Sequence, residues 1–425
     1  MAERPLHEYT LGNGLRVVVC EDHVVPLAAV NLWYGVGSRH ERAGRTGLAH
    51  LFEHLMFQGS AHVAEGEHAS VLQSAGASFN ATTSFERTNY FETVPVSHLD
   101  LALWLEADRM GSLPAALTQA NLDNQRDVVK NERRQRYDNV PYGDAFERLC
   151  ALTFPPGHPY AHTPIGSMAD LDATTLQDCL DFFATYYAPG NAVLSVVGDV
   201  DPEETLAAVE RYFGHLPPGP AVPPAADADL GPLTGPARED VTSDVPTPGY
   251  FAMFRLPSDG THELEAAEIA VEILGGGPGS RLYDRLVRRD EVATEVWAGV
   301  QRFASGPSSA FVQAMGPDLD AIETALGEEL ARLAADGPAE QETERAVAQA
   351  ERAYLERTET VSGLANALSH HATLFGDPAL LFSAPARAAA VTSADVQATA
   401  ARWLLPESGA VLTYAPEGSP EGGAA

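Results

Sequence analysis

The sequence predicts an α+β protein made of two similar halves, each a sheet covered by helices on one side. Three observations carry this. Residues 217–236 are dense in proline and glycine, which break helix and strand alike, so an extended linker is expected there. It separates an N-terminal domain, 1–216, from a C-terminal domain, 237–425. Within each domain, short apolar strand-like runs mix with amphipathic stretches of about 10–20 residues, the pattern of a sheet with packed helices. The domains also echo each other in order. Residues 191–198 near the end of the first resemble 409–414 near the end of the second, each preceded by aromatics and a proline (Tyr186, Tyr187 and Pro189; Trp403 and Pro406). Such ordered internal similarity is the mark of a repeated unit.

Taken along the chain, strands are expected at 28–34 and 250–254, which correspond to one another, and helices at 97–110, 118–137, 168–185, 202–213, 318–333, 339–357, 361–376 and 392–404. The start at 202 is sharply defined, with Asp201 as cap and Pro202 in the first turn.

The most chemically informative run is His50-Leu51-Phe52-Glu53-His54. Leu48, Leu51, Phe52 and Leu55 recur at one-turn spacings with no proline, so the run predicts a helix. Residues four apart share a helix face, so His50 and His54 can direct two imidazoles at one ion. Glu53 leans over the same point without having to ligate. Two neutral imidazoles, a carboxylate ligand and a water make the open tetrahedral arrangement of catalytic zinc. A further, unligated carboxylate beside that water can take its proton. Histidines and a glutamate amid Leu, Phe and Met would be costly to bury unpartnered. This residue order is the inverted zinc-protease signature. A second segment, 118–137, is polar and holds Glu132, with Gln125 seven residues earlier on the same face.

With both segments considered, the chain resembles the pitrilysin-type (M16) zinc peptidases, in the short-chain branch that includes the mitochondrial processing peptidases. The likeness runs through 11–19, 28–34 with 37–39, the histidine helix, Asn80-Ala81-Thr82-Thr83, 126–132, 187–191, 197–200, 275–277 and 280–282. The resemblance implies two α+β halves in a clam shell. It implies Zn2+ held by His50, His54 and Glu132, with Glu53 as the general base that activates water toward a peptide carbonyl. Asn80 and Ala81 would lie on an edge strand that pairs with the substrate backbone. Gln125 stands where the family often has a helper glutamate; an amide can orient a ligand by hydrogen bonding but carries no charge.

Self-sufficient homodimeric members carry an Arg and, seven residues later, a Tyr after the Ser-Arg-Leu motif. Here Val287 and Thr294 fall at those positions. The resemblance therefore implies the zinc-bearing subunit of a dimer whose paralogous partner supplies the pair. A homodimer using Arg288 or Arg289 is the structural alternative, and a non-catalytic scaffold subunit of the same family is the alternative function. The position answering the zinc helix in the second half, 273–277, has no ligating side chain.

Composition narrows the partners. A formal net charge of −32, from 59 acidic and 27 basic side chains, argues against nucleic acid. No run of about 18 apolar residues suggests a membrane span, and residues 1–8 lack the apolar core of a signal peptide. A cytoplasmic location is expected. Cys20, Cys150 and Cys179 are unclustered and read as buried free thiols. His158 and His162 lie among prolines and suggest a turn, and His370 and His371 suggest surface positions.

Overall fold

The computed structural model describes residues 4–224 and 230–417. Two sheets organise it. The first contains β1 (Leu6–Thr10), β2 (Arg16–Glu21), β3 (Leu27–Tyr34), β4 (Ser78–Thr83), β5 (Thr88–Pro95) and β6 (Ala192–Gly198), in the order β1-β2-β6-β3-β5-β4. The second contains β7 (Ala237–Ser243), β8 (Gly249–Leu256), β9 (Glu295–Gln301), β10 (Ser308–Met315) and β11 (Gly409–Pro416), in the order β7-β11-β8-β10-β9. Both are mixed: β2 runs parallel to β6 and β11 to β7, while the remaining pairs are antiparallel. The class is α+β, as the alternation of strand and helix patterns predicts.

The helices that matter for the site are α1 (Leu48–Leu55), α2 (Glu67–Ser74), α3 (Leu99–Ser112) and α4 (Gln119–Arg133); α5 (Ala145–Thr153) follows them. The stretch expected as one helix over 168–185 is two, Met168–Ala173 and Leu176–Tyr186. Thr175 and Asp178 form a capping box that starts the second and so ends the first.

The compact units are interleaved. Among the described residues, one comprises 4–131, 163–224 and 354–383; the other comprises 132–162, 230–353 and 384–417. Each half of the sequence thus lends one helical segment to the unit built on the opposite half's sheet. The expectation of helices on one side only is corrected by this exchange. In the first unit, Asn31 and Trp33 of β3 face the helix Val361–Phe375: Trp33 Nε1 donates to Asn366 Oδ1 at 3.3 Å, and Ser369 Oγ donates to Ser195 Oγ of β6 at 2.8 Å. By strand alternation Tyr34 points to the other face, where its ring meets Tyr187 at 4.6 Å. Both faces are covered, so β3 and β6 are buried almost end to end. In the second unit, Tyr250, Ala252 and Phe254 of β8 join a core with the helices His262–Gly275, Leu319–Asp336 and Ser393–Trp403, while Phe251 packs with Tyr142 and Phe311, and Phe311 with Phe146 of α5.

Among the described residues no helix is long and apolar enough to cross a membrane. Cys20, Cys150 and Cys179 are buried free thiols.

Candidate metal centre

The helix α1 begins at Gly47, whose φ of 89° is left-handed and suits glycine. Glu41 supplies the cap that glycine cannot, accepting from the backbone N–H of Gly47 at 3.0 Å and of Ala49 at 2.7 Å. Leu48, Ala49, Leu51, Phe52 and Leu55 are buried. Phe52 meets the rings of Phe182, Phe183 and Tyr187, which fixes the helix's rotation. The opposite stripe, His50, Glu53 and His54, is left half-buried.

The helix α4 is polar, and its inward stripe is Leu122, Gln125 and Val129, all buried, followed by half-buried Glu132. It is held by Arg126, which donates to the carbonyls of Leu171 at 2.9 Å and Thr174 at 2.7 Å, and by Lys130 on Asp172 at 2.7 Å. Glu132 lies in its last turn, fixed by the same uninterrupted backbone ladder, and a π-helical turn over Arg134–Asp138 follows directly. Such turns are frequent at functional sites.

These two helices bring His50, His54 and Glu132 together: one ligand atom from each lies within 4.8 Å of the others. The imidazole centroids are 4.9 Å apart with planes at 82°. Glu132 is also paired with Arg136 at 2.7 Å. Arg136 is 73% exposed, so that pair is worth little and is easily given up.

Glu53 is held from the sheet. Thr83 Oγ1 of β4 donates to Glu53 Oε2 at 2.5 Å. Thr83 was missed in the sequence, although strand alternation from Ala81 puts it on the same face as Ala81. Arg87, whose Nη1 donates to the Thr82 carbonyl and to Asn89 Oδ1 at 2.8 Å, is buried enough to fall to about 10 against the opposing pull of the Glu53 charge. Asn80 and Ala81 sit on β4, which is the sheet's edge. Asn80 is exposed, and its Oδ1 takes the Ala81 N–H at 2.9 Å.

The remaining histidines divide. His40 takes the Gly37 N–H on Nδ1 at 3.1 Å, and burial with Arg39 nearby lowers it to about 4. His158 stacks on Phe154 and accepts from the Tyr160 N–H at 3.2 Å, a structural turn. His371 corrects the surface expectation: it is buried, bonded to the Ala367 carbonyl at 2.9 Å, because its helix packs on the first sheet against β3 and β6.

In the second unit, Val287 packs against the core, and Thr294 directs both its N–H and its hydroxyl at the Met315 carbonyl. Arg288 lies over the Tyr283 ring at 5.2 Å and Arg289 pairs with Asp284 at 2.9 Å. Residues 273–275 close the buried helix His262–Gly275.

An inverted histidine–glutamate helix converging with a glutamate from a second helix, on a two-sheet α+β frame, defines a class of metal-dependent peptidases, and comparison with known proteins agrees. Residues 16–155 match the family described as insulinase (peptidase family M16), and residues 173–350 match the one described as peptidase M16 inactive domain. The zinc protease PqqE of Helicobacter pylori is 33% identical over 340 residues, covering 77% of this chain and 74% of that protein. A probable mitochondrial-processing peptidase subunit beta of Schizosaccharomyces pombe is 29% identical over 209 residues, covering 49% of this chain and 45% of that one. The crystal structure of a protease from Helicobacter pylori superposes with a TM-score of 0.90 at 27% identity, over 97% of this chain and all, 100%, of that one. The chain belongs to the M16 peptidase family.

Proposed function

We propose that this chain is a zinc-dependent endopeptidase in which His50, His54 and Glu132 hold the ion and Glu53 is the general base. The observation that carries this reading is the convergence of three ligand atoms within 4.8 Å, beside a glutamate that is not one of them. The donor set fits zinc, because two imidazoles and one carboxylate leave a tetrahedral position open. Zinc bound there would lower the pKa of water and polarise a carbonyl oxygen.

The other steps fall to the chain's own groups. Glu53 removes a proton from the attacking water and returns it to the leaving amide nitrogen as the C–N bond breaks. Thr83, donating to Glu53 Oε2, orients that carboxylate. An extended peptide adds to the open edge of β4; its backbone carbonyl takes the Ala81 N–H that Asn80 Oδ1 holds in its place. Buried Gln125, two turns before Glu132, steadies α4 without adding charge.

The substrate-binding Arg and Tyr come from a paralogous partner subunit. In support, Val287 and Thr294 occupy those positions, and Arg288 and Arg289 are already engaged within their own turn. The test is hydrolysis of a quenched-fluorescent peptide, with metal content read on the same sample, by the chain alone and with a paralogue carrying the pair. Zinc with activity only in the mixture supports both parts of the reading. Full activity from the chain alone overturns the partner, and zinc without activity in either case overturns the enzyme in favour of a scaffold subunit.

A further inference from the structure

Behind the candidate metal centre lies a second histidine–carboxylate cluster that the mechanism does not use. His68 of α2, Glu92 of β5 and Glu106 of α3 are all buried, and one ligand atom of each lies within 4.8 Å of the others. Both Glu92 oxygens are sealed from solvent and no N–H or hydroxyl donor reaches them; the Glu92 carboxyl faces that of Glu106 in a side-chain hydrogen bond that needs a proton between the two. Arg109, one turn along α3, binds both Glu106 oxygens, through Nε at 3.2 Å and through Nη2.

The charges decide what the cluster holds. Arg109 and Glu106 cancel. An ionised Glu92 would leave the pocket at −1, and a divalent metal with both glutamates ionised would leave it at +1. A single proton on Glu92 leaves it neutral, and a sealed site pays heavily for any uncompensated charge. Nothing else nearby takes up the difference. His68 is pushed down to about 4 by burial and by Arg109, so it is neutral. Tyr34 of β3 and Tyr90 of β5, which face the Glu106–Arg109 pair, are pushed well above their ordinary value by burial and stay neutral. Burial and the Glu106 charge raise Glu92 itself well above the carboxylate range, whereas Arg109 overcomes burial to keep Glu106 ionised.

The guanidinium of Arg109 also reaches the catalytic elements. It lies 5.1 Å from the centroid of Phe57 and 4.2 Å from that of Tyr90. Phe57 follows α1 directly, and its N–H donates to the carbonyl of His54 at 3.2 Å. Tyr90 is the register partner of Ala81 on the edge strand. His68 adds an edge contact to Phe57 at 5.6 Å. One buried cation therefore holds both the end of the histidine helix and the strand beside the substrate edge.

We propose that Glu92, kept as a neutral carboxylic acid, together with the Glu106–Arg109 pair, forms a positioning lock that sets the histidine helix against the substrate-pairing strand. None of these is a catalytic residue; they act through Phe57 and Tyr90. The role in turnover rests on the peptidase reading, but the proton on Glu92 does not.

The sign of its pH dependence follows from linkage. A carboxyl raised in the folded state binds a proton that the unfolded chain has released, so its stabilising contribution is complete below the ordinary carboxylate value near 4.3. It is lost as pH rises through the folded value.

The experiment uses the full chain. Thermal unfolding of the zinc-free protein is followed from about pH 5 to pH 9, for wild type and Glu92→Gln, the neutral isostere. The wild type should lose stability as pH rises, and Glu92→Gln should flatten that slope. A slope unchanged by the substitution overturns the proton. So does a second equivalent of zinc in the wild type that Glu92→Gln removes. Where the peptidase is active, Glu92→Gln should keep kcat/KM within about twofold at pH 7. Arg109→Met should lower kcat and raise KM, for a combined loss of about tenfold or more, at unchanged zinc content. Because a lone Arg109→Met strands Glu106, the double variant Glu106→Leu with Arg109→Met is measured beside it. A folded double variant with wild-type kcat and KM would reduce the cluster to a structural ion pair and overturn the lock. A chain without peptidase activity would sink the proposed function, while the unfolding series would still decide the proton.

Discussion

The two histidine–carboxylate clusters have almost the same inventory and opposite surroundings. His50, His54 and Glu132 are half-buried, and Arg136, which pairs with Glu132, is an exposed side chain. His68, Glu92 and Glu106 are sealed, and Arg109 is built in as a permanent counter-charge. The comparison teaches that ligand-type residues at ligand distances do not define a metal site. Access and the charge left unbalanced do. The first cluster is open to a cation from solution; the second has one built in and needs only a proton.

The largest effect expected from breaking this contrast is at Glu53. Glu53→Gln should cut turnover by about 10²–10⁴-fold with zinc content unchanged, read by metal analysis beside peptide hydrolysis; loss of zinc would instead make Glu53 a ligand. Arg109→Ala should be the most damaging change to stability, about 3–5 kcal/mol, because it leaves the Glu106 carboxylate buried with no counter-charge. Denaturant unfolding of the zinc-free chain measures it, and a cost below about 1 kcal/mol would mean that solvent reaches the pair. Glu132→Gln should weaken zinc by at least about tenfold in a chelator competition, yet leave the metal-free stability within about 1 kcal/mol, since Arg136, its partner, is an exposed side chain. The smallest effect is at Thr83. Thr83→Val removes a hydrogen bond to a charged group, a loss of about 1.5 kcal/mol that should appear as roughly a tenfold fall in kcat with KM and zinc content held.

Much of the first cluster could be read from the chain, because a four-residue helical spacing brings His50 and His54 together locally. Glu132 could not be found from its own surroundings, a charged helix, and came only through the family likeness. The second cluster was hidden. Glu92 looks like an outward residue of an alternating strand, and Glu106 with Arg109 looks like an ordinary three-residue surface pair on a helix; only the packing of α2 and α3 against β5 buries them. The helix exchange leaves a trace in the sequence. Residues 27–34, Leu-Ala-Ala-Val-Asn-Leu-Trp-Tyr, are apolar on both alternating faces but for Asn31, the pattern of a strand buried on both sides. Which helix would cover the second face is not local information, since it arrives from 361–375.

That exchange sets an order of events during synthesis. When β6 leaves the ribosome the first sheet has all six strands, but one face stays uncovered until Phe375 has been made, about 180 residues later. At about 5–20 residues per second this is an interval of roughly 10–35 s. Throughout it, Trp33 and its neighbours are exposed to any other nascent chain, and the seats of Asn31, Asn89 and Ser195 wait for Asn366 and Ser369. A polar seat in an otherwise apolar face admits few helices, so the nascent half keeps its place open for one particular segment of its own chain.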